Sequence, residues 1–179
     1  MREVVKLTDN KWMNLFRVRD DSKGIKAFEY AERKGTDSIA FIGYDADKER
    51  YCLTNECLPP TEGSIFLARA FGGSLDKDVT KKEIVIDEAK EEGGFTIDVL
   101  DVHCVGKSFV SSMMNQYCHL YLVNLTGKEQ GERAPENAVE ALARPVWMTR
   151  DEVVAGDDWK AIAIINKAER FRLKFQPTS

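Results

Sequence analysis

Glu88, Glu91 and Glu92 fall in a segment whose pattern predicts a helix over residues 81–92. At about 100° per residue, Glu92 lies roughly 40° to one side of Glu88 and Glu91 roughly 60° to the other, so the three carboxylates share one wedge. Val85, Ile86 and Ala89 fall beside that wedge and would anchor the helix to a sheet. Ile84 lies inside the wedge one turn earlier, which makes the acidic face less polar than a solvent-facing one. Carboxylates at the C-terminal end of a helix oppose its dipole by about 0.3–1 kcal/mol each, and they repel one another. Divalent cations would relieve both costs, and Mg²⁺ or Mn²⁺ suits hard carboxylate oxygens. On the helix pattern alone, a solvated acidic face is the other reading.

Several elements must position this ridge. Thr80 followed by Glu83 is a capping box, and Gly93-Gly94 supplies the helix stop. Strands are predicted over residues 2–6, 13–19, 25–30, 38–44, 50–55 and 64–68, and again over 95–105, 117–125 and 145–148. Residues 38–44 form a continuous apolar run suited to a strand covered on both faces. Pro59-Pro60 starts a loop, and the polar, acidic stretch 127–140 reads as a mobile one. A final helix over 159–171 would bury Ile162, Ile165, Ala168 and Phe171. Strands first, a helix, strands again and a closing helix predict an α+β fold rather than a doubly wound sheet.

With 179 residues, 43% hydrophobic and 31% charged, the chain can bury one sizeable core, which excludes a disordered tail or a disulfide miniprotein. The net charge of −4 leaves no broad basic field for nucleic acid. No apolar run reaches the roughly 20 residues of a membrane span. The N-terminus lacks the apolar core of a secretion signal, so the expected location is cytoplasmic. His103-Cys104 and Cys118-His119 are the one alternative metal constellation. Strand alternation puts the members of each pair on opposite faces, so Cys52, Cys57, Cys104 and Cys118 are read as buried reduced thiols. A serine or cysteine hydrolase finds no Gly-x-Ser-x-Gly motif, and His103 and His119 read as strand residues.

Residues 73–95 resemble the Nudix box, G-x5-E-x7-R-E-U-x-E-E-x-G-U. Gly73, Glu88, Ala89, Glu91, Glu92, Gly94 and Phe95 match at the box spacing, while Val79 replaces the first Glu and Asp87 the Arg. The family usually pairs those two side chains, so losing both removes a matched ion pair rather than stranding one charge. Lys11 to Leu15, Gly24 and the run Phe28 to Arg33 are similar to the N-terminal region of the ADP-ribose/ADP-sugar pyrophosphatase branch. The resemblance implies a Nudix fold, an α/β/α sandwich with a mixed sheet, over residues 37–175. It also implies a β-rich extension, residues 1–36, that makes a homodimer and stacks the base.

As the resemblance implies, Glu88, Glu91, Glu92 and the Gly72 carbonyl would hold Mg²⁺, with Mn²⁺ a substitute. Trp12 and Phe28 or Tyr30 would stack on adenine, and Arg33 would sit on the phosphate side. The reaction implied is hydrolysis of an ADP-sugar-like nucleotide to AMP and a sugar phosphate. A general base would come from Glu129, Glu132, Glu136 or Glu140. Leu58 stands where the branch carries an Arg, and Arg69 where it often carries a substrate-contacting Glu. These departures keep other readings open: a Nudix enzyme for NADH or a dinucleoside polyphosphate, or a nucleotide-sensing domain of little activity.

Overall fold

A computed structural model describes the chain except Thr36, Pro60, Ser64, Arg172, Lys174, Gln176, Thr178 and Ser179. The ends of two expected features, Thr36 at the domain boundary and Pro60 in the loop, therefore lie outside the described residues, as does Ser64 at the start of an expected strand. The chain opens with three strands, β1 (Arg2–Lys6), β2 (Met13–Asp20) and β3 (Ile25–Arg33). They form an antiparallel meander. Then come β4 (Ser38–Asp45), β5 (Arg50–Cys57), β6 (Phe66–Arg69) and β7 (Phe71–Ser74), followed by helix α1 (Lys81–Glu91). A hairpin of β8 (Val102–Ser111) and β9 (Met114–Asn124) precedes α2 (Ala138–Leu142), β10 (Arg144–Met148), α3 (Arg150–Val154) and α4 (Trp159–Arg170).

The sheet is mixed. β4 runs parallel to β9 and antiparallel to β5 and β7. The continuous apolar run in β4 follows from burial on both faces. Ile39 and Phe41 pack with Ile84, Val85 and Ala89 of α1 in one core. Ala40 and Ile42 pack with Ile164 and Ile165 of α4 in the other. β9 divides in the same way, Tyr121 and Val123 toward α1, Leu120 and Leu122 toward α4. The period of two along both strands therefore builds two cores from one sheet. The meander joins this sheet at one register pair, Ala31 with Met114 of β9.

Four expectations need correction. Residues 95–101 are not strand: the Asp98 carboxylate accepts from the Leu100 N–H and the Asp101 carboxylate from the Asp98 N–H, which folds them into a turn. On α4 the buried stripe is Ala161, Ile164, Ile165 and Ala168, and Phe171 is 61% exposed. The segment from residue 127 is docked rather than free, and it ends in α2. Cys104 is exposed, although Cys52, Cys57 and Cys118 are buried. The strand register sets Cys104 opposite Tyr121 and Cys118 opposite Ser108, so the two His/Cys pairs do not face each other. His119 instead meets Asp37 at 3.2 Å, and His103 packs on Phe175.

Candidate active site

Helix α1 begins as its sequence dictates. The Thr80 hydroxyl accepts from the Glu83 N–H while the Glu83 carboxylate accepts from the Thr80 N–H. It ends against Gly94, whose φ of +76° is the left-handed stop. A Cβ at Gly94 would come within 2.6 Å of the Gly131 carbonyl, so only glycine permits the close approach there. Ile84 is buried, and it turns the shared wedge inward: Glu88 and Glu92 lie partly buried along the sheet, while Asp87 is exposed. Val79 is 47% exposed, so the two departures from the box face solvent and leave no charge buried without its usual partner.

The carboxylates meet the strands at the two glycines of β7. A Cβ on Gly73 would fall 2.5 Å from Glu88 Oε1, so the missing side chain is what lets Glu88 lie against the backbone. Glu92 reaches a backbone hydrogen bond with Gly72 through one oxygen. Its other oxygen, Oε2, is buried and has no hydrogen-bond partner among the described residues. Burial pushes the Glu88 carboxyl up to about 8, with repulsion from Glu92 and Glu91 added. Burial likewise lifts Glu92 to about 7, against the lowering pull of Gly72. Glu91 is raised as well, by burial and then by Glu136. The three side chains are thus held where ionisation is disfavoured, which is the electrostatic condition a divalent cation relieves. Among the described residues, no three His, Cys, Asp or Glu side chains already stand at metal-ligand geometry. The fit rests on the orphaned Glu92 oxygen and on the all-oxygen donor set, which is suited to a hard ion.

In front of the ridge lie two adjoining cavities of about 240 and 420 Å³, which share Gly72, Glu92, Glu56 and Glu140. Arg33 and Lys160 line both, and Arg69 and Arg133 line the first. The structure brings Glu88, Glu92, Gly72 and Arg33 near one another at this cleft. It does not bring the aromatic residues to the same cleft within one chain. Phe28 and Tyr30 share a strand face and line a separate groove of about 230 Å³ with Phe109. Arg33, an odd number of residues along β3, points to the opposite face. Trp12 is 61% exposed, with the Lys11 ammonium 4.4 Å from its ring centre.

Arg133 was not singled out in the sequence, and its surroundings are specific. Its guanidinium donates to the carbonyls of Glu92, Ala143 and Glu140, the latter two at 2.6 and 2.7 Å. Nearby, Gly131 donates to the Gly94 carbonyl and Ala134 to that of Glu91. The acidic loop is thus clamped to the C-terminal end of α1, where the helix dipole favours a cation. Of the general-base candidates, Glu140 reaches the cleft, and its carboxylate accepts from the Glu136 N–H. Arg133→Ala removes hydrogen bonds from a charged donor to three carbonyls and should cost about 3 kcal/mol of stability. Chemical denaturation of the variant measures this; an unchanged midpoint would show that the loop is held by other contacts.

No protein-family model matches the sequence, and no curated protein matches it. Among solved structures, the chain is similar to one described as an ADP compounds hydrolase, with a TM-score of 0.73 and 11% identity. The match covers 94% of this chain and 91% of that one. At that identity the likeness is one of fold, and it runs through the meander, the mixed sheet and both helical layers. The α+β architecture of this chain is the Nudix fold.

Proposed function

We propose that the protein hydrolyses the diphosphate bond of an ADP-sugar-like nucleotide with Mg²⁺, giving AMP and a sugar phosphate. The observation that carries this reading is the buried, partnerless Glu92 oxygen, held beside Glu88 at the edge of a cleft that also bears cations. Glu88, Glu91, Glu92 and the Gly72 carbonyl would hold the ion, with Mn²⁺ able to replace it. When bound, the ion would supply charge neutralisation at the phosphoryl oxygens and a more acidic water. Arg33, which donates to the Ser74 hydroxyl at 3.3 Å, contributes a cation to the phosphate side. Glu140, the candidate carboxylate that lines the cleft, would take a proton from a water there.

The fold likeness to an ADP compounds hydrolase supports a nucleotide substrate of this kind. Because Phe28 and Tyr30 lie in a groove apart from the cleft, base stacking by them in the same site requires a second copy. On this reading the meander, residues 1–36, is a dimerisation and base-binding extension to the domain 37–175. Several exposed apolar side chains on the meander, among them Val4, Val5, Leu15 and Ile25, fit such a role.

The test is incubation with Mg²⁺ and a panel of ADP-ribose, ADP-glucose, NADH, diadenosine polyphosphates and deoxynucleoside triphosphates, following AMP by chromatography. ADP-sugars should turn over fastest, and Trp12→Ala should raise KM by roughly tenfold if Trp12 carries the base, as base–aromatic stacking does elsewhere. Turnover of none of the panel would overturn the reading in favour of a nucleotide-sensing domain. An unaltered KM would return Trp12 to a packing role.

A further inference from the structure

Lys160 stands at the second residue of α4, on the far side of the sheet from α1, yet it lines the same two cavities as Glu92. Its ammonium has no hydrogen-bond or ion-pair partner among the described residues. The neighbouring Asp158 does not neutralise it: that carboxylate is buried and accepts from the Ala70 N–H at 2.7 Å and from backbone N–H groups of its own helix. Of the other cations of the cleft, Arg69 is held by Glu56 at 3.1 Å and Arg133 by three backbone carbonyls. Arg33 hydrogen-bonds only the Ser74 hydroxyl, so Arg33 and Lys160 are the cleft cations held neither by a carboxylate nor by a set of carbonyls among the described residues.

The position is unfavourable for stability alone. A cation in the first turn of a helix opposes the dipole, as anions in the last turn of α1 do. Two helices on opposite faces of one sheet therefore carry charge of the unfavourable sign at the ends that meet in one cleft. Arg133 already sets one cation at the α1 end, on backbone carbonyls, whereas Lys160 has no anion at the α4 end among the described residues; a ligand would bring a further cation to the first and an anion to the second. Diphosphate is the group that satisfies both, since it is dianionic and itself binds divalent ions through its oxygens.

We propose that Lys160 is a substrate-binding residue, which with Arg33 grips the diphosphate from the side opposite the carboxylate ridge. The assignment rests on the hydrolase reading given above and names a residue that reading did not contain. Lysine suits the role as a compact charge with three donors able to follow the phosphate oxygens.

The experiment compares wild type, Lys160→Met and Lys160→Arg, each first checked for an unchanged thermal unfolding profile. Binding of ADP in the presence of Ca²⁺ is measured by calorimetry, and KM and kcat are measured with ADP-ribose and Mg²⁺. Removal of a charge-assisted contact predicts that Lys160→Met weakens ADP binding and raises KM, each about tenfold or more. kcat should change less than KM, and Lys160→Arg should restore most of the binding. Wild-type affinity and KM in Lys160→Met would overturn the role of Lys160 while leaving the hydrolase reading intact. If wild type itself neither binds ADP nor cleaves any diphosphate, both fall together.

Discussion

Glu92→Gln should reduce turnover of ADP-ribose by about a hundredfold or more, and it should raise the melting temperature of the metal-free protein at pH 8. The two effects have one cause. Glu92 is pushed up to about 7 because burial disfavours its charged form, and Oε2 has no partner to offset that cost. Gln has the same shape, keeps an acceptor for the Gly72 backbone and carries no charge to desolvate, so the empty fold gains. The same change removes a charged oxygen from the group that would hold the ion, and loss of one such electrostatic contact in a catalytic site costs on the order of 10²–10³ in rate. Chromatographic AMP release and a thermal melt report the two effects separately. Full activity in the variant would remove Glu92 from the reaction, and a lowered melting point would show that its carboxylate serves packing instead.

The pH dependence of stability should have an unusual direction. Glu88 at about 8 and Glu92 at about 7 hold their protons more tightly in the folded chain than in the unfolded chain, where a glutamate titrates near 4.5. Across the interval from about 4.5 to 8 the folded state therefore binds more protons than the unfolded one, and stability falls as pH rises. Their contribution is fully present below the unfolded value and lost as pH climbs through 7 and 8. A divalent cation selects the ionised carboxylates, so it should cancel this loss. The rise in melting temperature produced by Mg²⁺ or Mn²⁺ should accordingly be larger at pH 8.5 than at pH 6, and Glu88→Gln should flatten both trends. A cation-induced gain of the same size at both pH values would separate ion binding from this ridge.

How much of this arrangement is legible in the chain depends on the distance over which each feature is determined. Helix α1 is readable to within a residue because its start, Thr80 with Glu83, and its stop at Gly94 are local chemistry. β4 is readable because a strand buried on both faces loses its polar alternation. The docking of Arg133 on Glu92 is not, since it joins residues far apart in sequence through a loop whose composition is merely polar. Lys160 is hidden for a related reason: nothing near it in sequence announces that its end of α4 faces the carboxylates. The buried stripe on α4 is ambiguous in the sequence because the helix carries isoleucine at 162, 164 and 165, so its periodicity admits two rotations. Packing against Ala40 and Ile42 selects Ala161 and Ile164 over Ile162. The aromatic residues illustrate a third limit. Their strand face is legible from alternation, but whether that face looks into the cleft depends on how β3 meets β9.

Burial of β4 on both faces has a consequence for the tolerance of the molecule to change. One rigid strand serves as the common reference for the helix bearing the anions and the helix bearing Lys160, and it lines the cleft itself through Ser38 and Ile39. The span between the two opposed charges is thereby governed by the thickness of the layered interior and not by surface loops. Insertions in the turns could reshape the mouth of the cleft, whereas a volume change at Ile39, Ala40, Phe41 or Ile42 would alter the gauge across which any bridging anion must fit.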